Sequence, residues 1–146
     1  MALPFLHLGG DAMTIAELID MVDNLKPNQI EHGIKEEWLK NIEGQLWDEI
    51  ILNHEDIPET IFDVQKASGG TELTAQPPYS DLYRFYLEAQ IDLANGEMTR
   101  YNNSMMLFNG AWMAYRNYYN RRHMPIMRVA SLGFMGKGGC KNGPLA

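Results

Sequence analysis

The stretch "MTRYNNSMMLFNGAWMAYRNYY", residues 98–119, decides the fold of this chain. Met98, Tyr101, Met105, Phe108, Trp112, Tyr115 and Tyr119 recur at alternating steps of three and four, the period of one face of an α-helix. Such a seam packs against neighbouring helices, with methionine filling irregular gaps beside aromatic rings. Leu107, Ala111 and Tyr118 carry apolar surface beyond the seam, and the tyrosine hydroxyls each need a partner. Gly110, beside Ala111 and Ala114, adds a second signal: glycine inside a helix costs about 1 kcal/mol relative to alanine and usually marks close approach by another element. The expectation is that Met98, Tyr101, Met105, Phe108, Gly110, Trp112, Tyr115 and Tyr119 serve self-assembly as well as the core, ahead of a cofactor pocket.

Working outward, Asn95-Gly96 separates this helix, about 97–121, from another that starts after Ser80 and buries Leu82, Phe85, Tyr86, Ala89 and Leu93; Pro125 closes the long helix. Near the other end, Thr14-Ile15-Ala16-Glu17 has the S/T-x-x-E form of a capping box and opens a helix over about 15–25, stopped by "KPNQ" (26–29). A second amphipathic run from near Ile34 to about Asn53 sets Trp38, Leu39, Ile42, Leu46, Trp47, Ile50 and Ile51 against a face of Lys35, Glu36, Lys40, Glu43 and Glu49. Between His54 and Pro78 the period is lost, and residues 61–64 and 71–75 can pair as a short β-hairpin across "SGG". The fold class is therefore mainly α, a small bundle of about four helices with a short hairpin in the 54–78 loop. Residues 1–12 form an N-terminal extension without a secretory pattern, 13–125 the helical domain, and 126–146 a glycine-rich tail read as flexible.

The net charge of −7 conceals an asymmetry. Residues 1–60 hold 13 Asp/Glu against 3 Lys, whereas 61–146 hold 6 acids against 9 bases, and no acid follows Glu97. A basic end can meet nucleic acid, or it can meet the acidic end of the next copy. For "RNYYNRRH" (116–123) alone, the helix dipole already favours arginines at a C-terminus.

Residues that could carry chemistry are sparse. His7, His32, His54 and His123 have no second ligand three or four positions away, and "NHED" (53–56) reads as a polar helix terminus. "GFMGKGG" (133–139) lacks the spacing and hydroxyl of a phosphate-binding loop. Cys140, the single cysteine, has no paired histidine and forms no internal disulfide. The link "KPNQIEHG" is too long for a helix-turn-helix, and "KEEW" would bring negative charge toward phosphates. The expectation is no metal, no cofactor and no enzymatic turnover. No apolar run of about 18 residues exists to span a bilayer.

The segments "TIAELIDMVDNLKPNQI", "EEWLKNIEGQLWDEII" and "PPYSDLYRFYLEAQIDLANGEMTRYNNSMMLFNGAWMAYRNYYNRRHMP" together resemble a family of small head-tail connector, or head-completion adaptor, proteins of tailed bacteriophages. The resemblance covers about residues 13–125 and is carried by the "PPYxDLY" opening, the "QIDxxNGExxRYNNSMxxFNxA" centre and the "YNRRHMP" exit. It implies a virion protein of the neck, made in the bacterial host cytoplasm, that forms a homo-oligomeric ring of roughly twelve copies beneath the portal, with no membrane partner. A downstream neck or tail-completion protein would meet the opposite face, and genomic DNA would pass through without sequence-specific binding. Carried onto this chain, Arg128, Phe134, Met135 and Lys137 of the tail become the candidate portal contact, the 54–78 loop a subunit or tail-side contact, and Glu36, Glu37 and Glu43 an acidic face toward the lumen. Another helical neck, tail-completion or DNA-packaging accessory protein is the alternative.

Overall fold

The computed structural model describes residues 12–126. Helix α1 spans Ile15–Leu25 and starts where the capping box requires: Glu17 N donates to Thr14 Oγ1 (3.2 Å) and Thr14 N donates back to Glu17 Oε1 (3.0 Å). Its next free amides are taken from outside the helix, Ile15 N by the Thr71 carbonyl (3.0 Å) and Ala16 N by that of Gly69 (2.9 Å). Ile15, Leu18, Ile19 and Val22 are buried.

Helix α2, His32–Glu49, begins two residues before Ile34 and gives way to a 3-10 turn over Ile51–Asn53, so the run expected to reach Asn53 tightens at its end. Its polar side differs from expectation. Ile34 is exposed, whereas Lys35 and Glu43 are buried.

Helices α3 (Asp81–Ala94) and α4 (Met98–Arg122) form an antiparallel hairpin, with Ser104 beside Asp92, Phe108 beside Tyr86 and Tyr115 beside Tyr79. Gly96, at φ 76°, makes the tight reversal: its N–H bonds the Leu93 carbonyl (3.1 Å) and Glu97 N bonds that of Asp92 (2.9 Å), the paired bonds of a Schellman ending. Ser80 lies in helical geometry and makes no side-chain cap, contrary to the sequence reading.

The expected hairpin does not form, and no strand occurs among the described residues. Residues 68–71 do close a turn (Thr71 N to Ser68 O, 3.0 Å), but the carbonyls of Gly69 and Thr71 serve the start of α1, and Thr14 bridges antiparallel to Glu72. The 61–64 segment lies instead on α2, where a Cβ on Gly44 would meet Val64 Cγ2 at 2.7 Å. At the far end the chain leaving α4 is clipped to the loop: His54 bridges Pro125, Glu55 N donates to the Met124 carbonyl, and Ile126 N to that of Asn53 (both 2.9 Å). One core joins the three shorter helices, Leu73, Ala75 and one face of α4.

Candidate functional site

Helix α4 has two faces of different kind. Phe108, Trp112, Tyr115 and Tyr119 are buried in the chain's own core, and Met105 packs at its margin. The core part of the seam packs on α3 and the loop: Tyr86 meets Phe108 at 5.3 Å between ring centres, and Tyr79 meets Tyr118 at 4.5 Å. Tyr101 is half-buried and Met98 exposed. Gly110 is exposed, and an added Cβ would meet nothing within 4 Å among the described residues, so no other described element approaches it.

The opposite face of α4 is the surface left over. Met106 is 72% exposed, Leu107 54% and Met113 47%, with Asn102, Asn103, Asn109, Gly110, Ala114 and Asn117 between and around them. No charged residue occurs from Tyr101 to Tyr115. A helix facing only water ordinarily carries charge on that side, which this one lacks.

Of the acidic trio, Glu37 is exposed and Glu36 half-buried. Glu43 is fully buried and is no part of a solvent-facing surface, because three donors and a closed core surround it. Its Oε1 accepts from the Tyr83 hydroxyl (2.5 Å), and its Oε2 from Thr74 N (2.8 Å) and the Thr74 hydroxyl. The network extends through Trp47 Nε1 to Thr74 Oγ1 (2.8 Å) and Ala75 N to Tyr83 Oη (2.9 Å). Burial raises the Glu43 carboxyl above its ordinary range against the pull of these hydrogen bonds, and burial together with Glu43 raises Tyr83 well above its own. With every bond spent inside the fold, the group is a joint between α2, the loop and α3.

Two further joints use charge. Lys35 donates to both oxygens of Asp23 (2.7 and 2.8 Å) and to Asn28 (3.2 Å); burial raises the Asp23 carboxyl, but the bonds from Lys35 and Asn28 outweigh it and hold the group low. Lys26 pairs with buried Asp92 at 2.6 Å, tying the end of α1 to α3. None of these pairings is legible in the helical period, which marks polar positions without naming partners.

At the C-terminal end of α4 a cleft of about 940 Å³ opens between that helix, the Pro77-Pro78 turn and Pro58. Trp47, Tyr115 and Tyr119 are its buried surfaces, Tyr79 and Tyr118 its half-buried walls, and Arg121 and Arg122 lie at its edge. Arg122 sits over the Tyr118 ring at 5.2 Å, and burial raises the Tyr115 and Tyr119 hydroxyls above their ordinary range. His123 stacks on Tyr119 at 3.9 Å and bonds Asp56, which that bond holds low. His54 donates from Nδ1 to the Ile50 carbonyl (2.6 Å), with Nε2 2.7 Å from the Asn120 side-chain amide. Neither ring hydrogen-bonds a Ser, Thr or Cys among the described residues.

The described residues contain no cluster of three or more His, Cys, Asp or Glu arranged to hold a metal ion, and no helix long and apolar enough to cross a membrane. Arg128, Phe134, Met135 and Lys137 lie outside the described residues. Comparison with protein-family models, curated proteins and solved structures returns no match.

Proposed function

We propose that this chain is a head-tail connector: a structural subunit of a ring between the portal and the next neck protein of a tailed phage, with the genome passing through its centre. One observation carries the self-assembly part of the reading, the charge-free outer face of α4 with Met106, Leu107 and Met113 exposed on it. Once the aromatic seam is used inside the fold, this is the surface that a neighbour would cover, and Gly110 in its middle would let a second backbone come close. The charge distribution supports a heterologous contact, since α2 offers Asp48 and Glu49 outward while Arg116, Arg121 and Arg122 of α4 have no carboxylate partner among the described residues. The proposed role needs no turnover, metal or cofactor.

The lumen assignment passes to Glu36 and Glu37 alone, where negative charge would keep DNA from adhering. The portal and the downstream neck protein are the proposed partners, and the virion neck the proposed place. The test is the mass of the purified protein, alone and mixed with its portal: a multi-copy assembly or a portal complex supports the reading, and a monomer under both conditions refutes it.

A DNA-packaging accessory is the second reading, favoured by the same unpaired arginines of α4. It requires duplex binding that weakens steeply with salt.

A further inference from the structure

Buried Tyr83 shows how this fold answers a tyrosine hydroxyl: it donates to Glu43 and accepts from the Ala75 amide at 2.9 Å. Two tyrosines of the cleft at the end of α4 lack such an answer. Tyr115 is 4% and Tyr119 7% exposed, both line the cleft, and neither hydroxyl has a hydrogen-bond partner among the described residues. Buried polar groups are nearly always paired, so these two call for an occupant that supplies acceptors. At the edge, Arg121 and Arg122 are exposed without a carboxylate among the described residues. Arg122 is steadied over the Tyr118 ring at 5.2 Å, a placement that leaves its N–H donors unspent. The remaining walls are Trp47, Tyr79 and the prolines at 58, 77 and 78.

We propose that this cleft binds an extended acidic segment of a partner protein, its Asp or Glu carboxylate held by Arg121 and Arg122 and its proline or apolar residues laid on Tyr79 and Tyr118. The arginines supply paired donors for a carboxylate, the tyrosine hydroxyls supply donors for backbone carbonyls of the segment, and the aromatic walls suit an extended proline-containing chain. A free small carboxylate would leave those walls uncovered. Nucleic acid fits less well, because Glu55, Asp56 and Glu59 stand exposed on either side of Pro58 and would meet a row of phosphates with like charge. A single carboxylate at the arginine end avoids them. This recognition does not depend on ring assembly, so a chain that stays monomeric is expected to bind as well.

The probe is a random heptapeptide array read with the labelled full-length chain, beside a variant carrying Arg121→Ser and Arg122→Ser. The wild type should select peptides with Asp or Glu next to proline or an apolar residue, and the variant should lose that selection. The best peptide should bind at least about tenfold more tightly than its Asn or Gln counterpart, and its resonance shifts should centre on Tyr79, Tyr115 and Tyr118. Tyr115→Phe with Tyr119→Phe should weaken that peptide at least about fivefold while leaving the urea midpoint unchanged, since the lost hydroxyls bond nothing described within the fold. No selected peptide, selection without acids, selection that survives loss of both arginines, or shifts elsewhere on the chain would overturn the proposal. So would a Phe variant that binds as the wild type or unfolds more readily, or an oligothymidylate that binds the cleft more tightly than the best acidic peptide.

Discussion

Tyr83 of α3 donates its hydroxyl to Glu43 of α2 across 2.5 Å, both groups sealed from water in the middle of the fold. The pair fixes the distance between two helices that share no neighbouring sequence, and Thr74 locks the loop into the same joint. Removing the carboxyl leaves several buried donors without an acceptor. Glu43→Ala should therefore lower stability by about 3–5 kcal/mol, and Tyr83→Phe by about 1.5–3 kcal/mol, measured by urea unfolding. Equal, small losses would mean that the network contributes little.

The same joint gives a pH signature. Glu43 has a raised pKa in the folded state, so the folded chain binds more protons than the unfolded one and stability falls as pH rises above 4.5 through the raised value. Asp23 works in the opposite sense: its pKa is held below 3.8, so its contribution is present above that value and is lost as pH falls through the lowered one. In urea midpoints followed against pH, Glu43→Gln should remove the first slope and leave the second, and Asp23→Asn the reverse.

How much of this was legible in the sequence depends on whether a residue's partner is near it in the chain. Helix α1 was readable to its ends because Thr14 and Glu17 cap each other three residues apart. The seam of α4 was readable as a helix face, but its partner was not, since the period of Phe108, Trp112, Tyr115 and Tyr119 is the same whether α3 or another subunit covers it. Glu43 and Lys35 were misread as solvated because a polar residue in a helix looks exposed until its partner is known. Glu43's partners lie 31 and 40 positions away, and Lys35 reaches back 12. The hairpin failed for a related reason: nothing local to "SGG" says that the carbonyls of Gly69 and the following Thr71 will be claimed by the first turn of α1.

Ion pairs should differ sharply with burial. Lys26→Ala strands the buried Asp92 carboxyl and should cost about 3 kcal/mol, whereas Lys40→Ala removes its pairing with exposed Glu37 and should cost less than about 1 kcal/mol. Thermal unfolding of the two variants at neutral pH separates them.

Gly110 distinguishes the fold from the assembly. With no atom of the described residues within 4 Å of a built Cβ, Gly110→Ala should stabilise the isolated chain by about 1 kcal/mol through helix propensity alone. If a neighbouring backbone rests on that spot, the same methyl should weaken self-association. A more stable chain that assembles unchanged would place Gly110 outside the contact.

DNA passage tests the acidic face. Glu36→Lys with Glu37→Lys reverses charge on exposed and half-buried positions without touching Glu43, and packaging or ejection should slow through adhesion of the DNA. Normal DNA passage in assembled particles would remove α2 from the lumen.

The central claim is that identical copies meet through the outer face of α4. Native mass measurement of the wild type beside Met106→Glu with Met113→Glu, alone and mixed with the portal, addresses it directly. The account predicts a closed multi-copy assembly for the wild type and monomers, still helical by circular dichroism, for the variant. Wild-type monomers under every condition, or a variant that assembles as the wild type does, would contradict it.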